Sequence, residues 1–201
     1  MDGESTFQLS GYYPGVVGKI VELHAVYYHK GWGFDLSFET QVGRELSDFM
    51  RDLRPGRDGF WAATADGRFA GAVAIDGSLQ DTVGARLRWF IVEPSFQGRG
   101  IGRALLQTAI RFCKETGQQN IFLWTFKGLD TARRLYEAEG FVLAEEHDVQ
   151  QWGNAIREQK FVLSLKNAVL LPCATVPRYQ REQREPMSAR GKSADKGTNE
   201  Q

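Results

Sequence analysis

The sequence predicts an α/β chain in which one mixed sheet carries helices on both faces. Three observations lead there. Runs of helical and of strand periodicity alternate between about Val16 and Leu165. Two strand-like runs meet at Asp66-Gly67, a strong two-residue hairpin signal. A strand, a glycine-rich loop, a helix and a second apolar strand then follow one another between Ala85 and Thr125, which is the order of a crossover between parallel neighbours.

Each element has its own reason. From Val16 to His29, Val17, Ile20, Val21, His24, Ala25 and Tyr28 recur at the spacing of one helical face, and Gly31-Trp32-Gly33 turns the chain. A second amphipathic helix covers Ser37 to Leu53, where Pro55-Gly56 stops it. Gly59 to Ala65 and Arg68 to Ile75 are the hairpin strands. In Ala85 to Val92, Arg86 and Arg88 alternate with Leu87 and Trp89. A helix runs from Gly100 to Thr116, ended by Gly117, and Asn120 to Thr125 is a short strand. The last helix spans about Leu129 to Glu139, and Phe141 to Ala144 and Lys160 to Leu165 close the sheet. Residues 1–9 are expected as a flexible N-terminus, 10–166 as one domain, and 167–201 as a tail, mostly disordered because it holds too little apolar surface to offset its ordering entropy.

Composition removes several function classes. Lys plus Arg and Asp plus Glu are 25 each, so the basic excess that a nucleic-acid binder uses against phosphates is missing. The uncharged apolar stretch Asn167 to Pro177 contains two prolines and falls well short of the ~20 residues of a spanning helix. Met1-Asp2-Gly3-Glu4 does not start a secretory signal. Cys113 and Cys173, with His24, His29 and His147 scattered, form neither a disulfide framework nor a metal pattern, and Cys113 reads as a buried hydrophobe. The expectation is a cytoplasmic protein with no metal, no nucleic-acid partner and no membrane contact; a homodimer stays open.

The chemistry concentrates in Val92-Glu93-Pro94-Ser95-Phe96-Gln97-Gly98-Arg99-Gly100-Ile101-Gly102-Arg103, between a strand and a helix. Glycines at alternate positions strip side chains from a helix start, so first-turn N–H groups and the positive end of the helix dipole can close on an anion. Arg99 and Arg103 add mobile positive charge. This reads as a pyrophosphate cradle. The spacing is not that of a dinucleotide-binding fingerprint, and the Gly-Lys-Ser/Thr of a Walker loop is missing. Gln97-Gly98-Arg99-Gly100-Ile101-Gly102 after Val92-Glu93-Pro94 resembles the acetyl-CoA loop of the GNAT acetyltransferase superfamily. Thr131 to Phe141, a helix with Tyr136 running into Gly140-Phe141, is similar to that family's second signature. Leu123-Trp124-Thr125 resembles its splayed strand. The stretch from Tyr28 through Gly33-Phe34-Asp35 to Phe38-Glu39 resembles acetyltransferase domains fused behind MarR-type winged-helix regulators, with no winged-helix pattern before it.

The resemblance implies a central twisted, mostly antiparallel sheet with one parallel, splayed pair. It implies acetyl-CoA as donor, gripped by Gln97, Gly98, Arg99, Gly100, Ile101, Gly102 and Arg103, with backbone groups of Phe90, Ile91 and Val92 along the pantetheine arm. An N–H of Phe90 or Ile91 would polarise the thioester, a primary amine would attack directly, and Tyr136 would protonate the leaving thiolate. Two positions depart from the family pattern: Trp124 stands where a glutamate is common, and Leu129 where an asparagine is. The candidate base is therefore Glu39, with Asp35 and His29 behind it, or a water relay. Trp32, Phe34, Trp61, Trp89 and Trp124 are expected near an acceptor cleft suited to an apolar or cationic amine. A catalytically silent acyl-CoA-binding sensor or interaction module is the alternative.

Overall fold

The computed structural model describes residues 7–165; the expected tail from residue 167 on lies outside the described residues. In chain order the elements are β1 (Phe7–Ser10), α1 (Val16–Trp32), α2 (Leu36–Arg51), β2 (Gly59–Ala65), β3 (Arg68–Asp76), β4 (Ala85–Val92), α3 (Ile101–Glu115), β5 (Asn120–Phe126), α4 (Asp130–Ala138), β6 (Val142–Gln151) and β7 (Asn154–Ser164). They build a seven-stranded sheet in the order β1-β2-β3-β4-β5-β7-β6. All pairs are antiparallel except β4 and β5.

Helix ends follow local chemistry. Gly33, at φ 68°, caps α1, and its N–H donates to the carbonyl of His29 at 2.8 Å; this carries the helix to Trp32, three residues past the expected end. Asp35 caps α2 by accepting from the Ser37 N–H at 2.9 Å. Asp66 and Gly67 both take positive φ, the geometry that matches strand twist in a two-residue hairpin.

The sheet separates two cores. On one side α3 lays Ile101, Leu105, Leu106, Ala109 and Cys113 against Val73, Ile75, Leu87, Ile121 and Phe161. Cys113 is fully buried there, and burial pushes its thiol up to about 12, the inert state expected of it. On the other side α1 and α2 place Ile20, Phe38, Val42, Leu46 and Phe49 over Ala62, Ala72, Ala74 and Trp89. Each large side chain so buried stabilises by about 1.5–3 kcal/mol.

Two elements depart from the expectations. Phe7–Ser10, mostly within the expected flexible N-terminus, is an edge strand paired from Phe7↔Ala65 to Ser10↔Ala62. Four residues carry too little periodicity to be read alone; Phe7 and Leu9 gain an inner face only by packing on the α3-side core. The two short closing strands are the ends of a long hairpin, β6–β7. Its middle is polar and β6 is almost wholly exposed, so no hydrophobic alternation marks it. Cross-strand polar pairs stand in for that alternation: Glu145 with Lys160 (2.7 Å), His147 with Glu158 (3.2 Å), and Asp148 with Arg157 (3.4 Å).

Candidate functional site

The site begins where β4 and β5 part. They pair only at Ala85↔Ile121 and Arg86↔Phe122, so from Leu87 and Leu123 onward the two strands have no ladder between them. Alternate backbone groups of β4 then face an open gap rather than a neighbour. A bulge sharpens the opening. Between Ala72↔Ile91 and Ala74↔Arg88, two residues of β4 oppose Val73, and Trp89 adopts φ 46°. The extra residue shifts the alternation: Ala85 and Leu87 join the α3-side core, Trp89 joins the α1/α2 side, and Phe90 and Val92 return to the α3 side. Trp89 is locked in place by Phe49 (ring centroids 5.2 Å apart) and by Arg88, whose guanidinium lies 4.0 Å from its ring.

Past β4, Glu93 ties the strand to the loop: its N–H donates to the Ala70 carbonyl at 2.9 Å, and its carboxylate accepts from the Ser95 N–H at 3.0 Å. Gln97 Nε2 donates to the Val92 carbonyl at 3.2 Å. Gly98 and Gly100 then take φ 78° and 82°, a region other residues enter only at a cost of about 1–2 kcal/mol. A Cβ on either would touch nothing within 4 Å, so conformation and not crowding demands glycine. The first α3 bond is Ala104 N–H to the Gly100 carbonyl at 3.0 Å. Among the described residues, no peptide N–H from Gly98 to Arg103 has a hydrogen-bond partner. These donors converge at the positive end of a fifteen-residue helix, on an exposed surface. Arg103 is exposed beside them, Arg99 is held by Asp66 at 3.1 Å and lies over Phe96, and Ile101 anchors the helix start in the core.

Tyr136 is the buried residue of α4, 5% exposed, its ring beside Phe90 (5.8 Å), Phe141 (5.9 Å) and Phe161 (6.1 Å). No described residue hydrogen-bonds its hydroxyl, and no buried polar side-chain atom of the described chain lacks a partner, so Oη reaches accessible space near Phe90. Burial, and to a lesser degree the Tyr28 phenol, hold its pKa well above the ordinary tyrosine value. Tyr28 comes from α1 on the opposite face and is itself shifted upward by burial. The sequence assigns Tyr28 no chemical role, since nothing in its spacing distinguishes it from its apolar neighbours.

The remaining candidates divide. Glu39 is exposed and makes no interaction with a described residue. It lies on the flank of α2 that runs past α1, where a Cβ on Gly43 would meet Val21 at 3.7 Å, while Gln41 and Glu45 occupy the flank that reaches Trp152 and Arg88. Asp35 and His29 are engaged locally, the first as a helix cap and the second with the Phe34 carbonyl at 2.9 Å. Of the expected cleft aromatics, Trp61 belongs to the other face, against Phe112 at 5.3 Å, and Trp89 is core beneath α2. Trp124 packs edge-on to His147 at 5.6 Å. Trp32 and Phe34 join Tyr28, Phe38, Phe126 and Trp152 in one aromatic cluster. Trp152, at the β6–β7 turn, was missed: it packs tilted against Phe34 (ring centroids 4.9 Å) and edge-on to Phe38 (5.0 Å) and donates to Gln41 at 3.0 Å, docking the hairpin tip on the α1–α2 corner. A tryptophan followed by Gly153 was the signal available for it.

A family model described as "Acetyltransferase (GNAT) family" matches residues 19–141. An uncharacterized N-acetyltransferase of Methanocaldococcus jannaschii is 31% identical over 131 residues, covering 63% of this chain and 57% of that protein. N-acetylaspartate synthetase of Xenopus tropicalis is 31% identical over 105 residues, covering 51% and 38%. The match therefore spans about half or less of these relatives' lengths. In fold, the chain is similar to a putative acetyltransferase from Salmonella typhimurium solved with acetyl-CoA, with a TM-score of 0.64 at 14% identity over 84% of this chain and 99% of that one.

Proposed function

The chain belongs to the acetyltransferase (GNAT) family, and from that premise we propose that it transfers the acetyl group of acetyl-CoA to a primary amine by direct attack in a ternary complex. One observation carries the reading: the unpartnered peptide N–H groups from Gly98 to Arg103 at the head of α3. A pyrophosphate meets there an array of fixed donors, with Arg103 close by and Arg99 within reach on exchange of its exposed Asp66 contact. The unpaired edge of β4 suits a pantetheine arm laid down as an added strand, through main-chain groups of Phe90, Ile91 and Val92. The N–H of Phe90 or Ile91, next to the bulge, would stabilise the oxyanion that develops as the amine attacks.

Tyr136 is the proton donor to the departing thiolate. Its raised pKa keeps the phenol protonated across the physiological range, and no described residue hydrogen-bonds its hydroxyl. For the amine's own proton the candidates are Glu39, exposed and without an interaction with a described residue, and a water relay, because Trp124 occupies the β5 position where the family often has glutamate. The Xenopus relative is named for N-acetylaspartate, which is consistent with a primary amine as acceptor.

Incubation with acetyl-CoA and a panel of primary amines, read as free thiol release, tests the proposal. Amine-dependent release that Tyr136→Phe lowers without weakening acetyl-CoA binding supports it. Saturable acetyl-CoA binding with no release above background for any amine would instead support the silent acyl-CoA-binding module.

A further inference from the structure

The sheet face beneath α1 and α2 is crowded with charge beside the β4–β5 opening. Register places Arg86 next to Phe122, Trp124 next to Lys160, and His147 next to Glu158, so these side chains share that face with Phe126. Nearly every charge there is matched. Arg88 takes both Asp76, at 3.2 Å, and Glu45. Lys160 binds Glu145 at 2.7 Å and lies over the Phe122 and Trp124 rings. Glu158 faces His147 at 3.2 Å.

Arg86 differs. It makes no hydrogen bond or ion pair with any described residue, although it is half-buried. Burial and the repulsion of Arg88 bring its pKa down to about 10, against weaker, longer-range attraction from Glu45, Asp76 and Glu158. A guanidinium held in this way has given up hydration without gaining an anion, and its planar fork of donors is shaped for a carboxylate. Its place in the fold is specific: Arg86 is in the last paired rung before β4 and β5 separate, at the closed end of the opening. Phe90 lies four residues further along the same strand, about 13 Å away by Cα, the span of a small amino acid together with the arginine that would hold it.

We propose that the acceptor amine carries a carboxylate on the same small carbon skeleton, and that Arg86 receives this carboxylate while the amine points along β4 toward the bulge. This rests on the acetyltransferase reading above and narrows its acceptor.

The test uses matched pairs that differ in the carboxylate: glycine and glycinamide, β-alanine and β-alaninamide, aspartate and asparaginamide, each with acetyl-CoA and thiol release as readout. The expected result is a kcat/KM at least ~10-fold higher for the acid of one or more pairs, the range of one or two charge-assisted hydrogen bonds. Arg86→Gln should collapse that preference toward unity through a rise in KM for the acid, and Arg86→Lys, which keeps the charge without the fork, should restore part of it. Removing an unpartnered guanidinium should not lower Tm, which a melt of Arg86→Gln checks. Turnover of the amides equal to or better than that of the acids, or a preference that survives Arg86→Gln, overturns this inference and leaves the acetyltransferase reading standing. Acetyl-CoA binding without thiol release for any member of the panel overturns both.

Discussion

Gly100→Ala separates the anion cradle from the rest of the fold. Gly100 sits at φ 82° and ψ −7°, and a methyl added there meets no atom within 4 Å. The cost is then conformational alone, about 1–2 kcal/mol for an L-residue in the left-handed region. For a domain of this size each kcal/mol corresponds to about 2–4 °C, so Tm should fall by about 2–8 °C. If the chain instead escapes to negative φ, the peptide planes on either side rotate and the Ile101 and Gly102 N–H groups leave the cradle. Losing one or two hydrogen bonds to a charged group, about 1.5–3 kcal/mol each, would weaken acetyl-CoA binding by about 10-fold to more than 100-fold. Gly102→Ala is the control for stability. Gly102 is not at positive φ, its added methyl would make ordinary contacts with Leu135, Val92 and Phe90 at 3.4, 3.5 and 3.6 Å, and glycine to alanine within a helix gains about 0.5–1 kcal/mol. Thermal melts and calorimetric titration with acetyl-CoA read both. A dissociation constant for Gly100→Ala within twofold of the parent, with Tm also unchanged, would mean the chain has relaxed without loss of grip and would refute the claim that this backbone geometry holds the cofactor.

Tyr136→Phe should lower kcat by about 10²–10⁴-fold while acetyl-CoA affinity and Tm hold; equal kcat in steady-state assays would remove Tyr136 from the reaction. His24 is buried with Nδ1 2.8 Å from the Ile20 carbonyl, and burial depresses its pKa to about 4. Because the folded value lies below the unfolded one, its stabilisation is full above pH ~6.5 and is lost as pH falls toward 4, by up to about 3 kcal/mol; urea titrations at pH 7 and pH 4.5 should show a fall that His24→Phe abolishes. Tyr28 and Tyr136 carry the opposite linkage. Their folded values are raised, so their contribution is intact below pH ~10 and is lost above it, and urea titrations between pH 8 and 11 should show less alkaline loss in Tyr28→Phe. Trp152→Ala removes the hairpin-tip anchor at a cost of roughly 2–3 kcal/mol, less than the ~3–5 of a fully buried aromatic, and amide exchange should accelerate in Val149–Ile156 more than in β2 and β3.

Local rules wrote most of the elements legibly. The β2–β3 hairpin was readable because Asp66-Gly67 has few other uses, and α3 because Ile101, Leu105, Ala109 and Cys113 recur on one face. The long β6–β7 hairpin was not, since its partners are Glu, His, Lys and Arg pairing across strands, and charge pairing leaves no period-two hydrophobic trace. The cradle was legible as far as its composition. Glu39 marks the limit of such reading: a helix's sequence fixes which residues share a flank, not which flank meets the sheet.

What the amino-acid order determined by itself is the set of helices, the glycine hinge at 98 and 100, and the likeness to a family, because each depends on φ preference, capping or spacing within one segment. The tertiary structure alone decided where β4 and β5 separate, how the Trp89 bulge changes the strand's phase, that Tyr136 packs beside Phe90, and that Arg86 makes no hydrogen bond or ion pair with a described residue. Those are relations between segments far apart in the chain. Packing and long-range electrostatics set them, and no local preference encodes either.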